Sequence, residues 1–240
     1  MDYFDEPVAA SYETRWPELF EQDAIDPVVN FLADLAGPGP ALELGIGTGR
    51  IALPLSQRGM GVHGIDLSPA MVARLGTKPG GDAVDVIIGD FATTRANGPF
   101  RLAYLLRNTI MNLTTQDAQV ECFATVAAQP GSGGCFVIEV MVPELQRLPP
   151  ARPSARSPSR RTISASTSTT SPRRAWCPAT TGRVMAIPRC CRCRSRIWPA
   201  ELDLMARLAG LTLRERWSGW HREPVTSDST AHVSVWTKTA

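Results

Sequence analysis

Apolar positions along this chain follow two rhythms that take turns, one of helical spacing and one of short continuous runs. In "IDPVVNFLADLA", residues 25–36, Ile25, Val28, Val29, Leu32 and Leu35 share one helical stripe. Asp26 followed by Pro27 predicts the helix start, and Gly37 its stop. In "PALELGIGTGRIALPLSQRG" an apolar run, Ala41 to Leu44, meets a glycine cluster and then a helix-like segment. "GVHGIDLSPAMVARL" repeats the design, with a strand to Leu67, a cap at Ser68 and Pro69 at the first helical position. "AVDVIIGD" predicts a third strand and "FRLAYLLRN" a fourth. "TTQDAQVECFATVAAQPGSGG" then reads as a helix with a Gly-rich stop, and "CFVIEVMV" as a fifth strand.

Further on, "PAELDLMARLAG" reads as a helix, and "LTLRERWSGW" and "AHVSVWTKT" as two final strands. Strands alternating with helices predict an α/β fold, a doubly wound, mostly parallel sheet covered on both faces. The last two strands, with no helix between them, predict an antiparallel hairpin at one edge.

One stretch keeps neither rhythm. Residues 146–197 are rich in Arg, Ser, Thr and Pro, and no Asp, Glu or Lys occurs between Glu144 and Glu201. That interval holds 12 of the 25 basic residues, so the remainder sets 13 bases against 23 acids, a net of −10. The apparent basicity is therefore confined to one block, and the rest lacks the electrostatic footprint of a nucleic-acid binder. Four readings compete for residues 150–196: disordered linker, nucleic-acid arm, metal site and translated frameshift. "RCCRCR" matches no spaced zinc pattern, so no metal is expected. Arg, Pro, Ser, Thr, Ala and Cys are what a shifted frame of a GC-rich gene yields, and the periodicity is lost at both ends of the block. The frameshift, with a poorly ordered segment, is the favoured reading.

The N-terminus "MDYFDEPVAASYE" is acidic and lacks an apolar core, which argues against a signal peptide. No run approaches the roughly 18 apolar residues of a membrane span. Four of the six cysteines lie in the odd block, and Cys122 and Cys135 stand apart, so this is no secreted disulfide framework. A cytoplasmic location is expected, with no membrane partner and an oligomeric state left open.

The chemistry concentrates in "LELGIGTGR". Gly45, Gly47 and Gly49 follow a predicted strand and precede a helix, where glycine permits positive φ and close approach of a ligand to backbone N–H groups. Asp66, nineteen residues after Gly47, ends the second strand, where a carboxylate can accept from the two hydroxyls of a ribose. Asp90 and Phe91 end the third strand on the same edge. Other roles stay open: Glu43 as a turn-stabilising acid, Asp90 as a loop acid, Asn108 and Asn112 as loop hydrogen-bonders. Met71 fits the core face of its helix. The three-residue step of the dinucleotide fingerprint is absent, because the spacing is G-x-G-x-G.

Strand, E-x-G-x-G-x-G, helix, strand, Asp, strand, Gly-Asp resembles the class I S-adenosylmethionine-dependent methyltransferases, with their Rossmann-like fold. The likeness spans roughly residues 8–145 and resumes near Trp198. "ASYETRWPELF", "PALELGIGTGRIALPL", "VHGIDLSPAMVARL" and "NTIMNLTTQDAQV" are similar to actinobacterial small-molecule members, including amino-sugar N-methyltransferases. The resemblance implies S-adenosyl-L-methionine as cofactor and a small-molecule methyl acceptor. It implies that Glu43 and the Gly45, Gly47 and Gly49 backbone hold the methionine part, and that Asp66 takes the ribose, with Leu67 beside the adenine. Asp90 would accept from the adenine amino group, Phe91 would pack near the ring, and Asn108, ending the fourth strand, would line the pocket near the methyl. Residues 1–37 would form an N-terminal lid carrying Tyr12, residues 38–145 the cofactor-binding core, and residues 198–240 the final helix and two strands.

No catalytic base stands out. His221 is the most suggestive candidate, though a solvated loop histidine is the stronger reading; Tyr12 could orient an acceptor or close the lid; His63 and His232 fit structural roles in strands. Two other classes compete: a nicotinamide-dependent oxidoreductase using Asp66 for ribose, and a non-catalytic binding protein with a basic nucleic-acid-contacting arm. The absent G-x-G-x-x-G step counts against the first, and the lack of interleaved aromatics against the second.

Overall fold

The computed structural model describes residues 4–142, the two-residue strands at 175–176 and 194–195, and residues 197–238. The odd block, with its expected disorder and its frameshift reading, otherwise lies outside the described residues.

Helix α1 spans Glu6–Arg15 and α2 Gln22–Ala36, with a 3₁₀ turn, Pro17–Phe20, between them. Strand β1 is Ala41–Leu44, α3 Ala52–Gln57, β2 Val62–Asp66, α4 Pro69–Gly76 and β3 Asp85–Ile88. Then come β4 Phe100–Leu105, α5 Gln116–Ala127 and β5 Pro130–Met141. The short strands β6 Ala175–Trp176 and β7 Arg194–Ser195 pair with each other. Helix α6 is Pro199–Leu208, and β8 Leu211–Trp217 and β9 Ala231–Lys238 complete the order.

Seven strands form one sheet in the order β3-β2-β1-β4-β5-β9-β8. The first five run parallel, and β9 lies antiparallel between β5 and β8. The expected doubly wound sheet with an antiparallel edge pair is therefore present. Strand alternation splits the core in two. Leu42, Leu44, Ala103, Leu105 and Trp236 pack against α5 and α6. On the opposite face Ala41, Leu102, Tyr104, Val137 and Val235 pack against α2 and α3. Arg216 on β8 makes a two-pronged pair with Asp203 of α6 at 2.6 and 3.1 Å, which fixes that helix over the edge strands.

Several expected boundaries move. Helix α2 begins at Gln22, and Pro27 lies inside it. Proline there forfeits one hydrogen bond, to the Asp23 carbonyl, while Ile25, Val28, Val29 and Leu32 of the expected stripe are buried, and that burial offsets the loss. Leu35 is only half-buried. The "PGSGG" segment does not stop a helix: α5 ends at Ala127, and Pro130 already opens β5. Strand β2 ends at Asp66 rather than Leu67, and β4 at Leu105, so Asn108 does not end the fourth strand. It sits beyond it with φ 62°, beside Arg107 at φ 54°. Ser68 caps α4 as expected, accepting the Met71 N–H at 3.2 Å, and Met71 is buried.

Candidate cofactor site

The carboxyl ends of β1, β2, β4 and β5 converge on the glycine turn. Gly45, Gly47 and Gly49 have φ of 70°, 57° and 79°, the left-handed region that a side chain resists. A Cβ on Gly49 would lie 3.0 Å from Leu75, so that glycine lets α4 close on the turn. Gly47 differs. A Cβ there would meet only Met71 Cε at 3.4 Å and the Gly45 carbonyl at 4.0 Å, which leaves its face open to a ligand.

Asp66 holds this turn from the end of β2. Its Oδ2 accepts the Gly47 N–H at 2.7 Å and its Oδ1 the Ser68 N–H at 2.9 Å. These two backbone donors orient the carboxylate. Beside it Leu67 is 53% exposed and Ile88, its neighbour on β3, 48% exposed, an apolar flank for a flat base.

Glu43 is buried, and register explains its partner. It pairs with Tyr104 across β1 and β4, so both side chains leave the same face of the sheet. The Tyr104 hydroxyl donates to Glu43 Oε2 at 3.0 Å. Burial pushes the Glu43 carboxyl up to about 8, against the Tyr104 hydrogen bond and the nearby Arg50, which pull it down. Burial together with Glu43 raises the Tyr104 hydroxyl as well.

The β5 side of the edge is built around Glu139. Its Oε2 accepts the Arg107 N–H at 2.8 Å and its Oε1 the Trp220 Nε1–H at 3.0 Å. Asn108 has its side-chain oxygen committed to the Met141 N–H at 2.6 Å. That bond and the Glu139 carboxylate hold two successive left-handed residues at the end of β4. Asp90 caps its own loop, Oδ1 accepting the Ala92 N–H at 2.9 Å, and Phe91 is buried.

The N-terminal helices lie across the turn. Lys78, beyond α4, donates to the Thr48 carbonyl of the turn at 2.6 Å, pairs with Glu13 of α1, and stands over the Phe20 ring. Tyr12 packs edge-on against Trp16 at 5.1 Å and Phe20 at 6.3 Å.

His221 is not with these groups. It lines a separate cleft of about 580 Å³ between α2 and the loop after β8, with Asp23, Asp26, Phe31 and Trp220 among its neighbours. His63 faces Asp85 at 3.4 Å. His232 is buried, its Nδ1 within 2.7 Å of the Ser234 hydroxyl, and burial pulls its pKa down to about 4. Both serve structure. Among the described residues no group of three or more His, Cys, Asp or Glu could hold a metal, and no helix is long and apolar enough to cross a membrane.

Residues 41–134, from β1 into β5, match a family model described as a methyltransferase domain. The chain is similar to the CcbJ methyltransferase of Streptomyces caelestis, 26% identical over 89% of each chain with a TM-score of 0.66. The chain carries a methyltransferase domain of the class I fold.

The methyltransferase also superposes on the glycopeptide N-methyltransferase MtfA complexed with S-adenosylmethionine. That match has 15% identity, 92% and 91% coverage of the two chains and a TM-score of 0.60. The magnesium protoporphyrin IX methyltransferase ChlM of Synechocystis, with bound cofactor, matches at 14% identity, 99% and 94% coverage and a TM-score of 0.62. No curated protein matches. The residues present suit that cofactor: an open-faced glycine turn, an oriented carboxylate and an exposed apolar flank.

Reading the sequence missed Arg50, Tyr104, Glu139 and Trp220. Tyr104 could have been found by aligning the alternation of β1 with that of β4, which puts it beside Glu43. The other three carry no local signal.

Proposed function

We propose that this methyltransferase moves a methyl group from S-adenosylmethionine to a nitrogen or oxygen of a small molecule. The observation that carries the reading is the Asp66 carboxylate fixed by the Gly47 and Ser68 N–H groups at the open end of the glycine turn. Asp66 accepts from the ribose hydroxyls, and the exposed Leu67 flanks the adenine, with Phe91 behind it. Asp90 receives the adenine amino group. The Gly45, Gly47 and Gly49 backbone and Glu43 face the methionine part. Asn108 acts through the backbone it holds rather than by reaching the methyl, since its side-chain oxygen is taken by Met141.

When bound, the cofactor supplies an electrophilic methyl on sulfur. The protein's task is then to hold the acceptor atom roughly 3 Å away and in line, and to exclude water. Tyr12 and its aromatic neighbours on the N-terminal helices suit that covering role. A neutral amine attacks without a base, whereas a hydroxyl needs one near neutral pKa. His221 lies in the α2 cleft, which favours an amine. The net of −10 outside the odd block favours small neutral or amine acceptors over nucleic acid.

The test has two stages. Calorimetric titration with S-adenosylhomocysteine and with NADH should give binding of the first and none of the second. A panel of amines, sugars, phenols and RNA with methyl-labelled cofactor should then label small molecules. Label on RNA alone overturns the substrate class, and NADH binding alone overturns the cofactor assignments.

A further inference from the structure

The cleft that holds His221 belongs neither to the glycine turn nor to the strand ends around it. It runs along α2 from Asp23 to Asp34, and Trp220, His221 and Arg222 of the loop after β8 wall its other side. Asp34 lies eleven positions after Asp23, about 16 Å along the helix at roughly 1.5 Å per residue. Between them Phe31 and Trp220 meet edge to face at 5.4 Å and supply the apolar lining.

Carboxylates along a helix are ordinary and by themselves mark nothing. What sets this face apart is that a cation already sits in it. The Arg222 guanidinium lies 4.9 Å from the centre of the Phe31 ring and 3.7 Å from the Asp34 carboxylate. Ring and carboxylate together make a seat for a positive group. Arg222 holds that seat loosely, because the two side chains are 45% and 66% exposed and such a pair contributes little. Nor does the loop need the pair. The Ser218 N–H donates to the Glu223 carbonyl at 2.8 Å and the His221 N–H to Glu223 Oε2 at 3.2 Å, so the loop closes on itself. At the other end Asp23 has no ion-pair partner among the described residues, and Pro27 leaves its carbonyl without the helical i+4 donor. Asp26, between the two ends, is already engaged by Gln22 and Arg58.

We propose that this cleft is a binding site for an aliphatic polyamine. One ammonium group replaces the Arg222 guanidinium between Phe31 and Asp34, and another reaches the Asp23 end. The methylene chain between them lies against Phe31 and Trp220. Several charges on one chain are needed, since the two carboxylates stand too far apart for a single ammonium. The site goes beyond the cofactor reading and does not depend on it. It still adjoins the sheet edge, because the Trp220 Nε1–H donates to Glu139 of β5. The same chemistry serves a methyl acceptor or a separate effector, and methyl transfer tells them apart.

The test is calorimetry with spermine at low salt, on the full chain and on three variants. Spermine should bind the unmodified chain, and n-butylamine, with its single charge, should bind roughly tenfold more weakly or not at all. Arg222→Ala should raise spermine affinity roughly 3- to 10-fold, because it empties the seat. Adding Asp34→Asn to Arg222→Ala should cancel that gain. Arg58→Ala is the control: it removes a positive charge beside Asp26 but leaves the seat filled, so its gain should stay under about twofold. Equal gains in the two arginine variants would mean that spermine senses overall charge alone, which overturns the site. No binding to the unmodified chain, or a gain that survives Asp34→Asn, would overturn it as well. With methyl-labelled S-adenosylmethionine, label on the bound spermine makes it an acceptor and binding without label makes it an effector; both outcomes support the site.

Discussion

Asp66 and Gly47, nineteen residues apart, are joined by a 2.7 Å hydrogen bond from the glycine N–H to the carboxylate. The bond ties the end of β2 to the turn after β1, so the proposed ribose acceptor and the proposed methionine cradle are one unit. Perturbing either should be felt in both.

Asp66→Ala removes that bond and the one to Ser68. S-adenosylhomocysteine binding should weaken by about 1.5–3 kcal/mol for each charged hydrogen bond lost to the ribose, as calorimetry would show. Asp66→Asn, which accepts at one oxygen only, should lie between the two. Unchanged affinity in the alanine variant would remove the ribose assignment.

Gly49→Ala tests the turn without touching a polar group. The new methyl meets Leu75 at 3.0 Å and Leu53 at 3.1 Å, and φ of 79° is itself unfavourable for alanine. Strain and overpacking together should destabilise the fold by about 1–3 kcal/mol, visible as a lower midpoint in urea with an unchanged slope.

The Glu43 carboxyl binds its proton more tightly in the fold than in the unfolded chain, being raised from 4.5 to about 8 by burial. Its contribution is therefore fully present below about pH 4.5 and lost as pH rises through about 8. Melting temperature should fall over that rise in the unmodified protein. Glu43→Gln, which stays neutral and still accepts from Tyr104, should flatten the decline. Parallel curves for the two proteins would contradict the assignment.

Lys78 ties α1 to the glycine turn through Glu13 and the Thr48 carbonyl. Replacing it with methionine should barely shift the global melting temperature, because half-exposed ion pairs contribute about 1 kcal/mol or less. Local opening is another matter. Limited proteolysis should cut within Glu6–Arg15 sooner in the variant, since little else in charge terms holds α1 besides the Arg74–Glu6 pair.

The frameshift reading of residues 150–196 makes a separate prediction. Every residue proposed for the cofactor lies at or before Asn108. Restoring an acid-containing frame across that block should raise methyl transfer and leave S-adenosylhomocysteine affinity unchanged. The coding sequence, set beside those of close relatives, should show compensating single-nucleotide shifts near Pro150 and Ile197.

What the sequence made legible was local. The Gly45–Gly49 turn, the Ser68 cap and Asp66 at a strand end each announce themselves within a few residues, since φ requirements and helix caps are satisfied by near neighbours. Contacts over long separations did not. Trp220 reaches Glu139 across 81 positions, and nothing around either residue signals the other. Asn108 was misplaced because an apolar run continues past Leu105, while the left-handed backbone that ends the strand depends on Glu139 and Met141. Pro27 misled the helix start because one lost hydrogen bond weighs less than a buried stripe.

The position of β9 bears on how the protein emerges from synthesis. This strand, Ala231–Lys238, fills the gap between β5 and β8, although it is made after both. Until the ribosome has released it, β5 keeps a bare edge of unpaired N–H and C=O groups alongside buried-type residues such as Phe136, Val137 and Ile138. The half-made sheet is then a template for any other extended chain nearby. Aggregation during expression, rather than instability of the finished fold, is the hazard this topology carries, and slower translation before Ala231 would lengthen the exposure.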